Sequence, residues 1–223
     1  TRHDAQELLS ATLRHFKMRN EVNRTWLSGP ILTNRKTFFI KSTELSSFPS
    51  RARVTLNLKR TNGLYDWPIA ELHNNIAINK LTEHTPTLTG HAIRTSCTGL
   101  VKDVVLIFEH LNNHIDGLQW IKENPTQISE LIKSTMEFII SLNNKGIIHL
   151  DLWARNVMLP ENEPTTLKLI DLENCMIGHT RFPSETLGFQ FGFLFQHTLK
   201  NHISEDKYNL IVEEALPTED WFQ

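Results

Sequence analysis

The chain has 223 residues, 39% of them hydrophobic and 22% charged, which is the balance of a folded globular protein long enough for one large domain or two small lobes. Its formal charge of −2 supplies no basic stripe for a nucleic-acid partner, and contact with an anionic membrane would need a local patch. No stretch reaches the roughly 18 apolar residues of a membrane span.

Residues 1–17 mix charged and apolar side chains and lack the pattern of a signal peptide. Two cysteines, Cys97 and Cys175, have no metal-ligand partner at a useful spacing and suit a reducing cytoplasm. The eleven histidines are scattered along the chain and read as ordinary surface or hydrogen-bonding residues rather than metal ligands.

The first seventy residues read as strand-rich. Residues 37–41 (Thr-Phe-Phe-Ile-Lys) and 53–59 (Arg-Val-Thr-Leu-Asn-Leu-Lys) favour strands through β-branched and aromatic content, with Gly29-Pro30 and Asn62-Gly63 as turns. Apolar Ile69, Leu72, Ile76 and Leu81 then recur at a helical period, and residues 91–96 and 104–108 read as two more strands. The polar stretch 109–117 marks the expected boundary between an N-terminal lobe, 1–111, and a C-terminal lobe, 112–223.

A helix is expected to start at Asn124-Pro125, with Gln127 completing a capping box. Its buried stripe is Ile128, Leu131, Ile132, Met136, Ile139 and Ile140, and Lys145-Gly146 is its stop. Residues 157–159 and 167–170 form a short hairpin across a turn at 161–164. From Phe182 onward the chain reads as helical, and the phenylalanines at 189, 191, 193 and 195 are expected to pack the C-terminal lobe rather than face lipid.

The chemistry concentrates in His149-Leu150-Asp151-Leu152-Trp153-Ala154-Arg155-Asn156, followed fifteen residues after Asn156 by Asp171 at the end of an apolar strand. Phosphoryl transfer needs a carboxylate beside the acceptor hydroxyl and oxygen ligands for Mg²⁺ on the phosphates. A tight loop lets Asp151 face the acceptor while Asn156 faces the metal, and the hairpin returns Asp171 to the same place. Leu159 and Leu169 would anchor the hairpin arms, and His149 would serve as a structural hydrogen bonder. Trp153 is a candidate for either the acceptor site or a loop wedge, and Arg155 for an anionic substrate.

These segments, in this order, resemble the protein-kinase-like superfamily, and most closely its bacterial lipopolysaccharide-core kinases, which phosphorylate heptose or Kdo sugars. The resemblance implies an α+β fold with an N-terminal antiparallel sheet carrying one helix and a short, mainly helical C-terminal lobe. It implies ATP and Mg²⁺ as cofactors. Lys41 would hold the α/β-phosphates with Glu71 as its ion-pair partner, although Lys59 rivals Lys41 for that role. Adenine would lie against the hinge of Glu109 and Leu111. Asn156 and Asp171 would hold magnesium, and Asp151 would be the catalytic base.

Leu150 stands where regulated protein kinases carry Arg, Leu172-Glu173 follows the metal Asp, and no Ala-Pro-Glu segment follows. These departures point away from a protein substrate and toward a small-molecule or glycolipid acceptor; the resemblance implies a cytoplasmic location, and peripheral contact with the inner membrane stays an open reading. The open readings are a lipopolysaccharide-core sugar kinase, a soluble kinase of the choline or aminoglycoside type, and a silent pseudokinase, the last favoured by the lack of a glycine-rich loop.

Overall fold

A computed structural model describes residues 2–161, 163 and 165–216, with side chains from Gln6 onward. The chain divides into two compact units. One runs through Asn79 and takes in Pro86–Leu111; the other joins Lys80–Thr85 to everything from Asn112.

The first unit is built on a four-stranded antiparallel sheet in the order β1-β2-β4-β3, from β1 (Trp26–Leu32), β2 (Thr37–Glu44), β3 (Leu88–Thr95) and β4 (Val101–Glu109). Side chains alternate across the sheet, so β4 serves two cores. Val104, Leu106 and Phe108 join Leu45, Val54, Ile69 and Leu72 on one face; Val105 and Ile107 join Ile40 and Phe16 on the other. Helices α2 (Phe48–Thr55) and α3 (Trp67–Ile78) supply the first core, and α1 (Arg2–Glu21) supplies Phe16 to the second.

Three helices therefore accompany this sheet where the sequence suggested one. Residues 53–59 are not a strand. Ser47 caps α2 by accepting the Ser50 N–H, Pro49 sits in its first turn, and only Val54 of its residues is buried. The alternation of Val54, Leu56 and Leu58 imitates a strand, yet Leu56 and Leu58 lie in solvent beyond the helix end. Gly29-Pro30 is no turn either: both lie within β1, an edge strand, where a proline's missing N–H breaks no ladder. The turn from β1 to β2 at residues 33–36 contains no glycine and is closed by the Thr33 N–H donating to the Lys36 carbonyl at 2.9 Å.

The second unit is mainly helical: α4 (Gly117–Glu123), α5 (Ile128–Asn144), α6 (Pro183–His197) and α7 (Glu205–Ala215). Its strands are β5 (His114–Asp116), β6 (Ile147–His149), β7 (Val157–Pro160), β8 (Lys168–Leu169) and β9 (Cys175–Ile177). They make a β5-β7-β8 sheet and a β6-β9 ribbon, both antiparallel.

The stretch 109–117 thus includes the short strand β5 and leads into α4, which the sequence did not announce. Asn124 forms no capping box. It ends α4, its Nδ2 donates to the Trp120 carbonyl at 3.2 Å, and a 3₁₀ turn at Pro125–Gln127 precedes α5. The apolar stripe of α5 is buried largely as expected, and Gly146 stops it at φ +71°, a left-handed conformation that favours glycine. The expected hairpin forms, with Leu159 and Leu169 both fully buried. Positions 162 and 164 of its turn lie outside the described residues.

In α6, Phe191 and Phe195 are buried but Phe189 is exposed, because residues two apart on a helix do not share a face. The Tyr208 hydroxyl of α7 donates to the Phe191 carbonyl at 2.8 Å, and burial raises its pKa above the ordinary tyrosine value. This α+β architecture, an antiparallel N-terminal sheet followed by a helical C-terminal part, is the one a kinase-like fold implies. Among the described residues no helix is long and apolar enough to cross a membrane.

Candidate active site

Two groups of side chains, one in each unit, hold the residues singled out above. In the first unit, Phe39 and Lys41 project from β2 toward α3, opposite to Phe38 and Ile40. Lys41 Nζ donates to Glu71 Oε1 at 2.5 Å, and Glu71, on α3, is 1% exposed. A carboxylate so buried needs its counter-charge, and loss of one member of such a pair leaves the other uncompensated. Lys59 belongs to the exposed segment after α2, where its Nζ lies 5.3 Å from the Tyr65 ring centroid. Glu109 closes β4, its N–H donating to the Thr87 carbonyl at 3.0 Å, and Leu111 ends the unit half-buried.

In the second unit the loop after β6 is tied at both ends. Asn156 Nδ2 donates to the Asp151 carbonyl at 2.8 Å, while the Asp151 N–H donates to His149 Nδ1 at 3.2 Å. His149 Nε2 in turn lies 3.2 Å from the Ile170 carbonyl and 3.1 Å from that of Asp171. One ring nitrogen accepts and the other donates, so the imidazole is neutral with its proton on Nε2. Burial is the main cause that holds its pKa below 6.5, outweighing the pull of those carbonyls and of the Asp151 and Asp171 charges. The Ile170 N–H donates to the Asn156 carbonyl at 2.9 Å, which fixes the strand leading to Asp171 against the loop.

Asp171 sits at φ 64°, ψ 55°, left-handed for a non-glycine residue. Backbone of this kind persists only where its surroundings impose it, and such strain clusters at functional sites. A 3₁₀ turn, Leu172–Asn174, follows and brings a Glu173 carboxylate oxygen within 4.8 Å of one from Asp171. Asp151 and Asp171 are half-exposed, whereas Asn156 is buried. Arg155 places its guanidinium 5.4 Å from the centroid of the Trp153 ring.

Three supporting residues escape a reading by motif. Gln190, buried in α6, donates from Nε2 to the His149 carbonyl at 3.1 Å and accepts from Asn143 Nδ2 at 2.8 Å. Thr198 Oγ1 accepts the Ala154 N–H at 3.2 Å. Gly117 passes under the loop so closely that a Cβ there would meet the Ala154 carbonyl oxygen at 2.8 Å. A lone amide within the aromatic run of α6 is the one hint of Gln190 in the sequence; nothing local marks the other two.

The charge of the chain is also unevenly shared. The first unit has 14 Lys and Arg against 8 Asp and Glu, a balance of +6, and the second has 9 against 17, a balance of −8.

No family model and no curated protein matches this chain. Among solved structures, WaaP in complex with acyl carrier protein is similar to it, with a TM-score of 0.49 and 15% identity over 86% of this chain and 74% of that one. A likeness of that extent says nothing of chemistry.

Proposed function

We propose that this chain is an ATP-dependent phosphotransferase that transfers a γ-phosphoryl group to an acceptor hydroxyl. The observation that carries the reading is the doubly tied loop: Asn156 on the Asp151 carbonyl, and His149 bridging the Asp151 N–H and the Asp171 carbonyl. It holds a base candidate and two metal-ligand candidates on one scaffold, which is the positioning that phosphoryl transfer chiefly requires.

In this reading Asp151 takes the acceptor proton as the acceptor oxygen bonds to the γ-phosphorus and the bond to the β-phosphate oxygen breaks, releasing ADP. The Nδ2 of Asn156 is engaged, which leaves Oδ1 for a cation. With the carboxylates of Asp171 and Glu173 it offers the hard oxygen donors that Mg²⁺ takes. When bound, the ion would offset the charge of the phosphates. Lys41, held by Glu71, would contact phosphate oxygens, and adenine would meet the backbone near Glu109 and Leu111.

The resemblance favours a sugar of lipopolysaccharide core as acceptor. A second reading has its own support: the −8 of the second unit repels a phosphorylated glycolipid and attracts a cationic alcohol of the choline or aminoglycoside type.

Calorimetric titration of ATP, with and without magnesium, into the wild type and Asp171→Ala tests the assignment. Magnesium-dependent binding that the substitution abolishes is the expected result, and turnover with core sugars against aminoglycosides then separates the acceptors. A wild-type protein that melts cooperatively yet binds no nucleotide is a silent module, and the assignment fails.

A further inference from the structure

We propose that residues 48–64, on the first unit, form a docking surface for an anionic lipid bilayer. The inference is independent of the phosphotransferase reading and uses none of its residues. Every residue from 55 to 64 is exposed, and four large apolar side chains stand out of this short stretch: Phe48 at 70% exposure, Leu56 at 65%, Leu58 at 51% and Leu64 at 63%. Single exposed leucines are ordinary on protein surfaces. A cluster within seventeen residues of one segment is not, and such patches mark contact sites.

The cluster is held in place rather than dangling. The Leu56 and Leu58 N–H groups donate to the carbonyls of Ala52 and Arg53 at 3.0 and 2.8 Å. Asn57 turns the chain at φ 52°, and the Arg60 N–H donates to the Leu64 carbonyl at 2.7 Å, which brings Leu64 back beside Arg60. Thr55 Oγ1 accepts the Val101 N–H at 2.8 Å and fastens the end of α2 to β4.

The charge of the segment points to one occupant. Between 48 and 64 there are four cations, Arg51, Arg53, Lys59 and Arg60, and no carboxylate. Arg53 and Arg60 share Asp66 at 2.9 and 3.2 Å and Arg51 lies 3.8 Å from Glu44, so four cations face two carboxylates from outside the segment. Lys59 extends over the Tyr65 ring, and the unit as a whole retains +6. Apolar side chains flanked by Lys and Arg suit the boundary of an anionic bilayer: the leucines enter the acyl edge while the cations stay among the phosphates. A protein groove would accept the leucines equally well but gives no reason for a segment without acids.

Flotation with phosphatidylcholine vesicles, with and without one-third phosphatidylglycerol, tests this on the whole chain. Two variants accompany the wild type: the triple Leu56→Ser, Leu58→Ser, Leu64→Ser, and Lys59→Glu. The expected result is flotation with the anionic vesicles only, lost in high salt and weakened by about tenfold or more in each variant. Melting temperatures should not move, because the substituted side chains are exposed. Absence of flotation, equal flotation with neutral vesicles, or flotation that neither variant weakens overturns the proposal. A concentration-dependent dimer that the triple variant abolishes, without vesicle binding, also overturns it and assigns the leucines to a second copy of the chain.

Discussion

The two units place their functional side chains by opposite means. The first relies on charge. Besides Lys41–Glu71, Asp103 is completely buried between Arg19, also fully buried, and Arg94, whose Nε lies 2.6 Å from it. Glu44 is shared by Arg19, Arg51 and Lys102. The second relies on neutral hydrogen bonds: an uncharged imidazole and the amides of Asn156 and Gln190 hold a loop whose carboxylates stay half-exposed. Asp103 is spent entirely on its arginines, whereas the neutral frame of the second unit leaves Asp151 and Asp171 partly exposed.

The comparison is sharpest when one carboxylate is removed from each unit. Asp151→Ala should lower phosphoryl-transfer rate by roughly 10²- to 10⁴-fold if the residue acts as base, and leave the melting temperature near that of the wild type. Asp103→Ala should do the reverse. It strands Arg19 without its buried partner and should cost about 3–5 kcal/mol in denaturant unfolding. An Asp103→Ala protein as stable as the wild type would break the contrast.

A smaller effect tests the stop of α5, which leads directly to β6 and His149. Gly146→Ala forces a side chain into the left-handed region, with the new Cβ 3.4 Å from the backbone of Gly178. A loss of about 1–2 kcal/mol is expected, read from the shift of the urea midpoint.

The smallest effect is one of pH. His149 is neutral in the folded protein with its pKa depressed by burial, while the unfolded chain protonates it near 6.5. As pH falls below about 6.5 the unfolded state therefore binds more protons, and stability declines until the folded pKa is passed. Above that range the contribution is complete. Melting curves of the wild type and His149→Gln between pH 7.5 and 5 should diverge in slope, the wild type being the steeper; parallel curves would count against a neutral imidazole.

Much of the second unit was legible because its signals are local. The loop from His149 to Asn156, the hairpin that follows and the stripe of α5 are matters of spacing and period within thirty residues. The N-terminal part was harder to read. The alternation at Val54, Leu56 and Leu58 suggested a strand, but a serine cap and a proline in the first turn made a helix, and solvent took the two leucines. The mixed charged and apolar residues 1–17 suggested no element, and α1 is tied to the sheet by Phe16 in its second core and by Arg19 on Asp103.

By itself the sequence determined the buried stripe of α5, the hairpin after the loop and the close spacing of Asp151, Asn156 and Asp171, since helical and strand periods leave few alternatives over so few residues. Only the tertiary structure decided that Glu71 pairs with Lys41 and not Lys59, that Gln190, Thr198 and Gly117 brace the loop, and that a chain of net −2 divides into units of +6 and −8. Those outcomes depend on which distant segments exclude water from one another, and burial is a property of the whole fold that no local pattern encodes.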